Sequence, residues 1–573
     1  MNNGMANIMT GAEALIQSLL DQGVDTAFVY PGGTIIRVFD ALFSHRPELR
    51  QILVRHEQGA AHAAQGYARI SGKTGVAIVT SGPGATNTLT GISDAMLDST
   101  PIVVIAGQVG TDALGTDAFQ EIDLVGVTQP ITKWSYQIRR AQDIPWAVAR
   151  AFYIAQSGRP GPVVLDFSKT AQNETIDYKP EKIDFIRSYI PAPDPDMERI
   201  HAAADLINAA RKPLVLVGHG VELGNAEQEL KAFIEKADAP AARTLLGLSA
   251  LESDHPLNMG MLGMHGNLAP NVMTNQCDVL IAVGMRFDDR VTSDVNFYAR
   301  QAKIIHLDID KSEFGKNVKP DVAVLGDCRK TLTLITERID KASHKEWIDS
   351  FKPLSQEEHE KVIDGATHPK NGPLLMGEVV NAVAQQAPRN AALVTDVGLN
   401  QMFAARYFKY NVPRSIITSG GLGTMGFSLP AAIGASFGTE GRMIFSFQGD
   451  GGFQMNLQEL GTIMETGAPI KIVVMNNTYL GNVRQWQQMM FESRYSCTPM
   501  KSPEFGKIAS AYGIPYRKVA DRSELAEAIS EMISAPGAFI LETEVMAEEN
   551  VMPMIPGHKP VDKMIFTIDD DWK

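Results

Sequence analysis

An aspartate and an asparagine at the ends of two neighbouring strands are the residues best placed to do chemistry. Arg442-Met-Ile-Phe-Ser-Phe-Gln-Gly-Asp-Gly451 and Ile470-Lys-Ile-Val-Val-Met-Asn-Asn477 are short apolar runs, and between them Leu457, Leu460, Ile463 and Met464 fall on one face of a helix. That order predicts a βαβ unit of a parallel sheet, and in such sheets ligands gather beyond the carboxyl ends of the strands. Asp450 follows the first strand and Asn477 the second. A carboxylate and an amide oxygen suit Mg²⁺, which takes about six oxygens and leaves most of them to water and substrate phosphates. Gly449, Gly451 and Gly452 leave room for a phosphate to approach the backbone at a helix start. The local expectation is a Mg²⁺–diphosphate site.

Such a site needs a large scaffold. The 573 residues allow about three or four domains. Hydrophobic content of 44% with 21% charged residues provides ample core, and a net charge of −14 argues against a nucleic-acid partner. Cys277, Cys328 and Cys497 form no Cys-x-x-Cys pair, which fits a reducing compartment and no structural zinc. Met1 to Leu20 shows no signal-peptide pattern and residues 10–20 read as an amphipathic helix. No apolar run approaches the roughly 20 residues of a membrane span. The expectation is a cytoplasmic chain with no membrane partner.

Along the chain, strand-like runs end repeatedly in glycine-rich turns. Ala27–Tyr30, Gln51–His56, Gly75–Thr80, Pro101–Ala106 and Pro162–Asp166 predict a first doubly wound parallel sheet over 1–190, with Pro180 to Pro195 a linker. Pro213–Val217, Asp278–Val283 and Lys303–Ile309 predict a Rossmann-like domain over 191–345. Its Gly218-x-Gly220 turn lacks the third glycine at dinucleotide spacing, because Gly224 comes one residue late, so it is a weak cofactor signal. The polar stretch Lys341 to Gly372 reads as a second linker, and a third α/β domain spans 365–573, with strands at Ala391–Thr395 and Ser415–Thr418 before the opening βαβ unit. Ile78-Val-Thr-Ser-Gly82 and Ile416-Ile-Thr-Ser-Gly420 echo one another, as two similarly wound outer domains would. The fold class is therefore α/β, with three doubly wound parallel-sheet domains.

Glu57 stands where a strand gives way to a helix, between His56 and His62. A zinc reading fails, because that motif needs histidines four apart on one helix face and these are six apart. Taken alone, Glu57 is a carboxylate favoured by the helix dipole.

The Gly-Asp-Gly to Asn-Asn spacing resembles the signature of thiamin diphosphate (ThDP) enzymes. Arg55-His-Glu-Gln-Gly-Ala-Ala-His-Ala-Ala-Gln-Gly-Tyr-Ala-Arg69, Thr80-Ser-Gly-Pro-Gly-Ala-Thr-Asn87, Thr116-Asp-Ala-Phe-Gln-Glu121 and Ser157-Gly-Arg-Pro-Gly-Pro162 follow in order. So do Met261-Leu-Gly-Met-His-Gly266, Arg286-Phe-Asp-Asp-Arg290, Ser419-Gly-Gly-Leu-Gly-Thr-Met-Gly426 and Val483-Arg-Gln-Trp-Gln487. Together they resemble, over nearly the whole chain, the catalytic large subunits of acetolactate (acetohydroxyacid) synthases.

That resemblance implies ThDP, Mg²⁺ and FAD as cofactors, and three domains that bind the ThDP pyrimidine, FAD and the ThDP diphosphate. Glu57 matches the glutamate that bonds the aminopyrimidine, and Met425 the residue that holds the cofactor bent. Asp450, Asn477 and the carbonyl of Tyr479 match the metal ligands. Pro31, Gly32, Thr80, Pro83, Asn87, Val397, Gly398, Asn400, Gly423, Gly449, Gly451, Gly452 and Gly481 fall on ThDP-binding segments. Arg159, Met264, His265, Gly266, Gly284, Arg286, Asp288, Arg290, Asp308, Ile309 and Asp327 fall on FAD-binding ones, where the flavin is structural. Without the resemblance, the arginines read as surface ion pairs with Asp288 and Asp289. Phe119, Gln120, Lys169 and Trp486 match positions beside the reacting centre, with Trp486 facing the acceptor.

The implied reaction decarboxylates pyruvate and joins the hydroxyethyl group to a second pyruvate or to 2-ketobutyrate, the first common step of branched-chain amino acid biosynthesis. The implied assembly is a homodimer or homotetramer to which a regulatory small subunit can add. Val29, Leu399, Asn482 and Phe167-Ser168-Lys169-Thr170 depart from the family pattern. Rival readings are an FAD-free catabolic acetolactate synthase, disfavoured by Arg286–Arg290, and a pyruvate oxidase, disfavoured by Trp486. A glyoxylate carboligase would lack Glu57, and an idle scaffold subunit would not keep Asp450, Asn477 and Glu57.

Overall fold

The computed structural model describes residues 6–45 and 48–570. The expected domain ranges 1–190 and 365–573 therefore begin and end on residues outside those described, as do the first five residues of the Met1–Leu20 segment. Three six-stranded, all-parallel sheets carry the fold, each flanked by helices.

The first sheet runs Arg50–Leu53, Thr26–Val29, Gly75–Val79, Ile102–Gln108, Val163–Ser168, Trp134–Ile138 across its width. The third runs Ile416–Ile417, Ala392–Thr395, Ile444–Gly449, Ile470–Asn476, Phe539–Glu544, Tyr516–Val519. Numbered by chain order within each sheet, both read 2-1-3-4-6-5. The outer domains are thus wound alike. The Thr-Ser-Gly echo, however, follows the third strand of one sheet and the second of the other, so it is not an equivalence between them.

The middle sheet, Asn258–Met261, Ala241–Arg243, Pro213–Val217, Val279–Val283, Lys303–Asp308, Val322–Leu325, reads 3-2-1-4-5-6. That is the dinucleotide-binding order, with its ligand crevice where strands 1 and 4 diverge. An antiparallel ribbon, Ile8–Thr10 with Thr175–Asp177, closes the first domain.

The structure corrects several sequence expectations. The edge strand Trp134–Ile138 escaped notice because its tryptophan, serine, tyrosine and glutamine do not form an apolar run. The three-residue strand Ala241–Arg243 and the glycine-broken Asn258–Met261 were too short to read. The supposed linker from Lys341 to Gly372 is largely helical, with Lys345–Asp349, Phe351–Glu358 and Asp364–Thr367 among its elements. Its Trp347 and Phe351 are buried against the middle domain, so its polar composition reflects one solvated face. Met464, expected on the buried face with Leu460 and Ile463, is 57% exposed.

The outer domains meet along two helices. Glu57–Ser71 follows the second strand of the first sheet, capped by His56, whose Nδ1 accepts the Gln58 N–H at 3.2 Å. Ser428–Phe437 lies in the third domain. Their crossing is lined by Ala60, Ala63, Gly66, Ala431 and Gly434. A Cβ on Gly66 would sit 1.9 Å from the Ala431 carbonyl oxygen, and one on Gly434 1.8 Å from that of Ala63. Only hydrogens fit there. Apolar residues from both sheets merge around the crossing into one core that includes Phe28, Val79, Val394, Phe427 and Ile472.

Gly66→Ala is expected to cost about 3 kcal/mol or more, because the obstacle is backbone and the gain in helix propensity is only about 1 kcal/mol. Gly33→Ala, where an added Cβ meets nothing within 4 Å, is the control. Urea unfolding of both variants measures the difference; equal stabilities would show that the crossing can relax.

Candidate functional site

Asp450 opens the helix Asp450–Met455 directly after the strand Ile444–Gly449. The neighbouring strand Ile470–Asn476 is paired in register, Gly449 opposite Met475, so Asp450 and Asn477 leave the sheet side by side. Asp450 is fully buried. Its Oδ2 accepts from Ser502 Oγ at 2.6 Å, while Oδ1 has no partner. Burial raises its pKa, with Ser502 and nearby backbone N–H groups, Asn477's among them, pulling the other way. Asn477 accepts the Tyr479 N–H at 3.2 Å, and its Nδ2 is unpartnered. A buried carboxylate oxygen with no donor is costly, and a cation relieves that cost. The donor set therefore fits Mg²⁺. Among the described residues no group of three or more His, Cys, Asp or Glu could hold a metal. Ser502 went unnoticed in the sequence because nothing in its loop links it to a residue 52 positions earlier.

The turn after Ala392–Thr395 faces this site. Asp396 is fully buried and accepts backbone N–H groups of Val397 (2.9 Å), Gly426 (3.1 Å) and Ser428 (3.2 Å). Burial pushes its pKa up to about 6. Asp396 thereby fixes the turn carrying Met425, which is half-buried. Gly452 packs against it so closely that a Cβ would lie 2.3 Å from Asp396 Oδ1. Gly398, at φ 124°, begins the helix Leu399–Tyr407 in a conformation suited to glycine. Asn400 bonds the Val397 carbonyl at 3.3 Å and leaves a buried Oδ1 unpartnered. Leu399 is buried against Gly481, where an added Cβ would be 2.5 Å from Leu399 Cδ1.

Glu57 is buried at the first position of its helix and accepts from Asn87 Nδ2 at 2.9 Å. Gly84 lies beside it, and a Cβ there would meet Glu57 Oε1 at 3.2 Å. Thr80 packs on both Gly84 and Gly32, so Gly32, Thr80, Gly84, Asn87 and Glu57 form one cluster at the carboxyl end of the first sheet. Pro31 and Pro83 are exposed at its rim. Gln120, at φ 63°, lies over Gly82, while Phe119 is 88% exposed. Lys169 is exposed at the start of its helix, outside this cluster.

The middle domain holds a cavity of about 820 Å³ at the strand 1–4 crevice. Arg159, Met264, His265, Gly284, Arg286, Asp288, Arg290, Asp308, Ile309 and Asp327 all line it, whereas Gly266 does not. Gly423, Asn482 and Trp486 of the third domain reach its far end. His219, Gly220 and Gly224, of the turn whose spacing was too loose for a dinucleotide motif, line it at the crevice itself. The expected ion pairs with Asp288 and Asp289 exist for Arg286 (3.3 Å) and Arg290 (3.5 Å), whereas Arg159 pairs instead with Glu313 (2.6 Å) and Asp310 (3.2 Å). The arginines therefore serve the cavity wall and the ion pairs at once. His265 Nδ1 and Asn482 Oδ1 are buried without partners. Burial, then Arg406 and Arg290, lower the His265 pKa to about 3, so it is neutral. The volume and the unpartnered polar atoms fit a large polar–aromatic ligand such as FAD.

The chain matches the family models of the thiamine pyrophosphate enzyme N-terminal TPP binding domain over residues 9–127, the central domain over 200–335 and the C-terminal TPP binding domain over 396–543. Fold and site thus define a three-domain thiamine pyrophosphate enzyme. An acetolactate synthase of Arthrospira platensis is 42% identical over 570 residues, covering 97% of this chain and 98% of its own. The acetolactate synthase isozyme 2 large subunit of Escherichia coli K12 is 42% identical over 549 residues (96% and 98%), and a probable large subunit of Methanocaldococcus jannaschii 43% identical over 562 (96% and 94%). The chain belongs to the acetolactate synthase large-subunit family.

Asp308 gives a pH test of the cavity wall. Burial raises its pKa to about 7, above the unfolded carboxylate value. The folded chain therefore holds this proton more tightly, and the stability it contributes is lost as pH rises through about 7. Asp308→Asn in flavin-free protein should melt about 2 °C or more above the parent near pH ~8 and with it near pH ~4. A melting series across that range measures it; identical curves would place Asp308 in water.

Proposed function

We infer that the chain catalyses acetolactate synthesis, decarboxylating pyruvate and joining the hydroxyethyl group to a second pyruvate or to 2-ketobutyrate. The observation that carries this reading is the buried, half-satisfied Asp450 beside Asn477, within a chain whose three domains match thiamine pyrophosphate enzymes. Bound ThDP would supply the electron sink for decarboxylation and carbon–carbon bond formation. Asp450, Asn477 and the Tyr479 carbonyl would hold Mg²⁺, and Gly449, Gly451, Gly452, Val397, Gly398, Asn400 and Gly481 would surround the diphosphate. Glu57, held by Asn87 and shielded from water, would move a proton at the aminopyrimidine. Met425 would shape the cofactor from the turn that Asp396 fixes. Gln120 would donate to a developing alkoxide, with Phe119 and Lys169 toward the substrate entrance. The 820 Å³ cavity would hold FAD as a structural group, and Trp486, at its edge, would face the acceptor.

The carboxylate cluster around Glu57 and the metal site around Asp450 are held by separate neighbours within the chain. Large apolar side chains lie exposed nearby: Phe119, Leu97 beside Gly421, Leu422, and Met455 beside Gly426. Such a surface suits burial against another protein. We assign that partner to a second copy, so that Glu57 of one chain and Asp450 of another complete each site. A dimer is the minimum assembly; a tetramer or a regulatory small subunit would build on it. Among the described residues no helix is long and apolar enough to cross a membrane.

The test is product formation from pyruvate, with and without ThDP, Mg²⁺ and FAD. Acetolactate that depends on ThDP and Mg²⁺ is expected; stoichiometric flavin reduction during turnover would point to an oxidase instead. Asp450→Ala should abolish Mg²⁺-dependent ThDP binding in calorimetry, and an unchanged affinity would remove it from the metal site. Glu57→Gln should preserve the fold and ThDP affinity within a few-fold, yet slow proton exchange at the thiazolium C2 by about a hundredfold or more. A parental exchange rate would take Glu57 out of the proton path.

A further inference from the structure

A smaller cavity of about 240 Å³ shares a wall with the flavin-sized one. The segment 258–267 lies between the two: Asn258, Gly260 and Asn267 line the small cavity, and Met261, Met264 and His265 the large one. Arg243, the last residue of the strand Ala241–Arg243, lines the small cavity and is only 6% exposed.

Its Nη1 donates to the Leu248 carbonyl (2.6 Å), the Leu251 carbonyl (2.9 Å) and Ser253 Oγ (3.5 Å). Its Nε is buried without a partner. Among the described residues no carboxylate forms an ion pair with it. Glu358 lines the same cavity, but both its oxygens are engaged, by Asn267 Nδ2 (3.0 Å), the Leu268 N–H (2.7 Å) and the buried Arg406 guanidinium. Arg406 balances the charge of Glu358, so that of Arg243 remains. Burial without a counter-charge lowers the Arg243 pKa to about 10. Carbonyl oxygens only partly offset the desolvation of a guanidinium. Ser253 Oγ, which accepts from the Tyr410 N–H at 2.9 Å, keeps its own proton free to donate, and the Ser355 hydroxyl lies at the exposed mouth.

We propose that this cavity binds a small oxyanion, with the Arg243 guanidinium as its counter-charge and the Ser253 and Ser355 hydroxyls as further donors. Guanidinium geometry favours planar or tetrahedral oxyanions over a spherical halide. The site bears on the larger cavity through shared backbone: the Arg243 carbonyl accepts the Leu262 N–H at 3.0 Å, and Asn267 Oδ1 accepts the Met261 N–H at 2.9 Å. An anion on Arg243 would brace the loop from the side opposite the flavin.

The proposal is independent of the catalytic reading and is tested by calorimetric titration of the full-length protein with sodium acetate and with sodium phosphate, at constant ionic strength in chloride. Saturable binding of one anion per chain is expected, and the tighter of the two distinguishes a carboxylate ligand from inorganic phosphate. Arg243→Gln should weaken binding by about tenfold or more. Ser355→Glu, a change at the exposed mouth that tethers a carboxylate within the cavity, should do the same while raising the melting temperature; it carries the test alone if Arg243→Gln does not fold. Absence of saturable binding by the parent, or equal binding by parent and Ser355→Glu, overturns the proposal.

Discussion

The contact between the helices Glu57–Ser71 and Ser428–Phe437 is the constraint on which the rest of the molecule depends. Helix axes ordinarily pack 8–10 Å apart with side chains between them. Here Gly66 and Gly434 remove those side chains, and each faces a carbonyl of the other helix. Close approach maximises dispersion contact and leaves almost no freedom to slide. The helix that begins with Glu57 is thereby fixed against the domain that carries Asp450. Satellite contacts complete the registration: Glu459 accepts the Arg55 N–H, and Arg69 pairs with buried Asp98 while donating to the Thr418 carbonyl.

A second theme is the use of buried carboxylates to hold loops. Asp98 takes the N–H groups of Gly420 (2.9 Å) and Gly421 (2.7 Å), Asp94 takes the hydroxyls of Ser419 and Thr424, and Asp396 takes Gly426 and Ser428. Residues 419–428 are therefore suspended from three acids on two domains. Burial raises the pKa of Asp94 and of Asp396 to about 6 each, so these anchors store desolvation cost that hydrogen bonds must offset. The reward is a loop, rich in glycine, with little freedom left around Gly423 and Met425.

What could be read in the sequence was what is local and periodic. Asp450 and Asn477 were legible because two apolar runs place them at adjacent strand ends, and the register of Gly449 with Met475 bears out that placement. Strands that form plain apolar runs before glycine-rich turns were legible, at the edge (Arg50–Leu53, Ile416–Ile417) as well as inside the sheets, whereas the half-wet edge strands Trp134–Ile138 and Asn258–Met261 and the interior strands Ala241–Arg243 and Phe539–Glu544 were not. The helices after Lys341 were missed because a solvated helix face has the composition of a linker. Long-range partners left no local signal at all: Ser502 on Asp450, Glu358 on Arg406, or the three acids beneath residues 419–428. The Gly218-x-Gly220 turn misled in the other direction. Its spacing departs from the dinucleotide motif, yet it lines the cavity, because strand order rather than glycine count puts it at the crevice.

The glycine crossing has a mechanical meaning in a paired assembly. One end of the welded pair of domains presents Glu57 and another presents Asp450, and in the dimer proposed above each would serve a different reaction chamber. The crossing would then act as a strut between two chambers. A shift of the Glu57 helix on filling one of them would be handed, nearly undamped, to the metal end of the other.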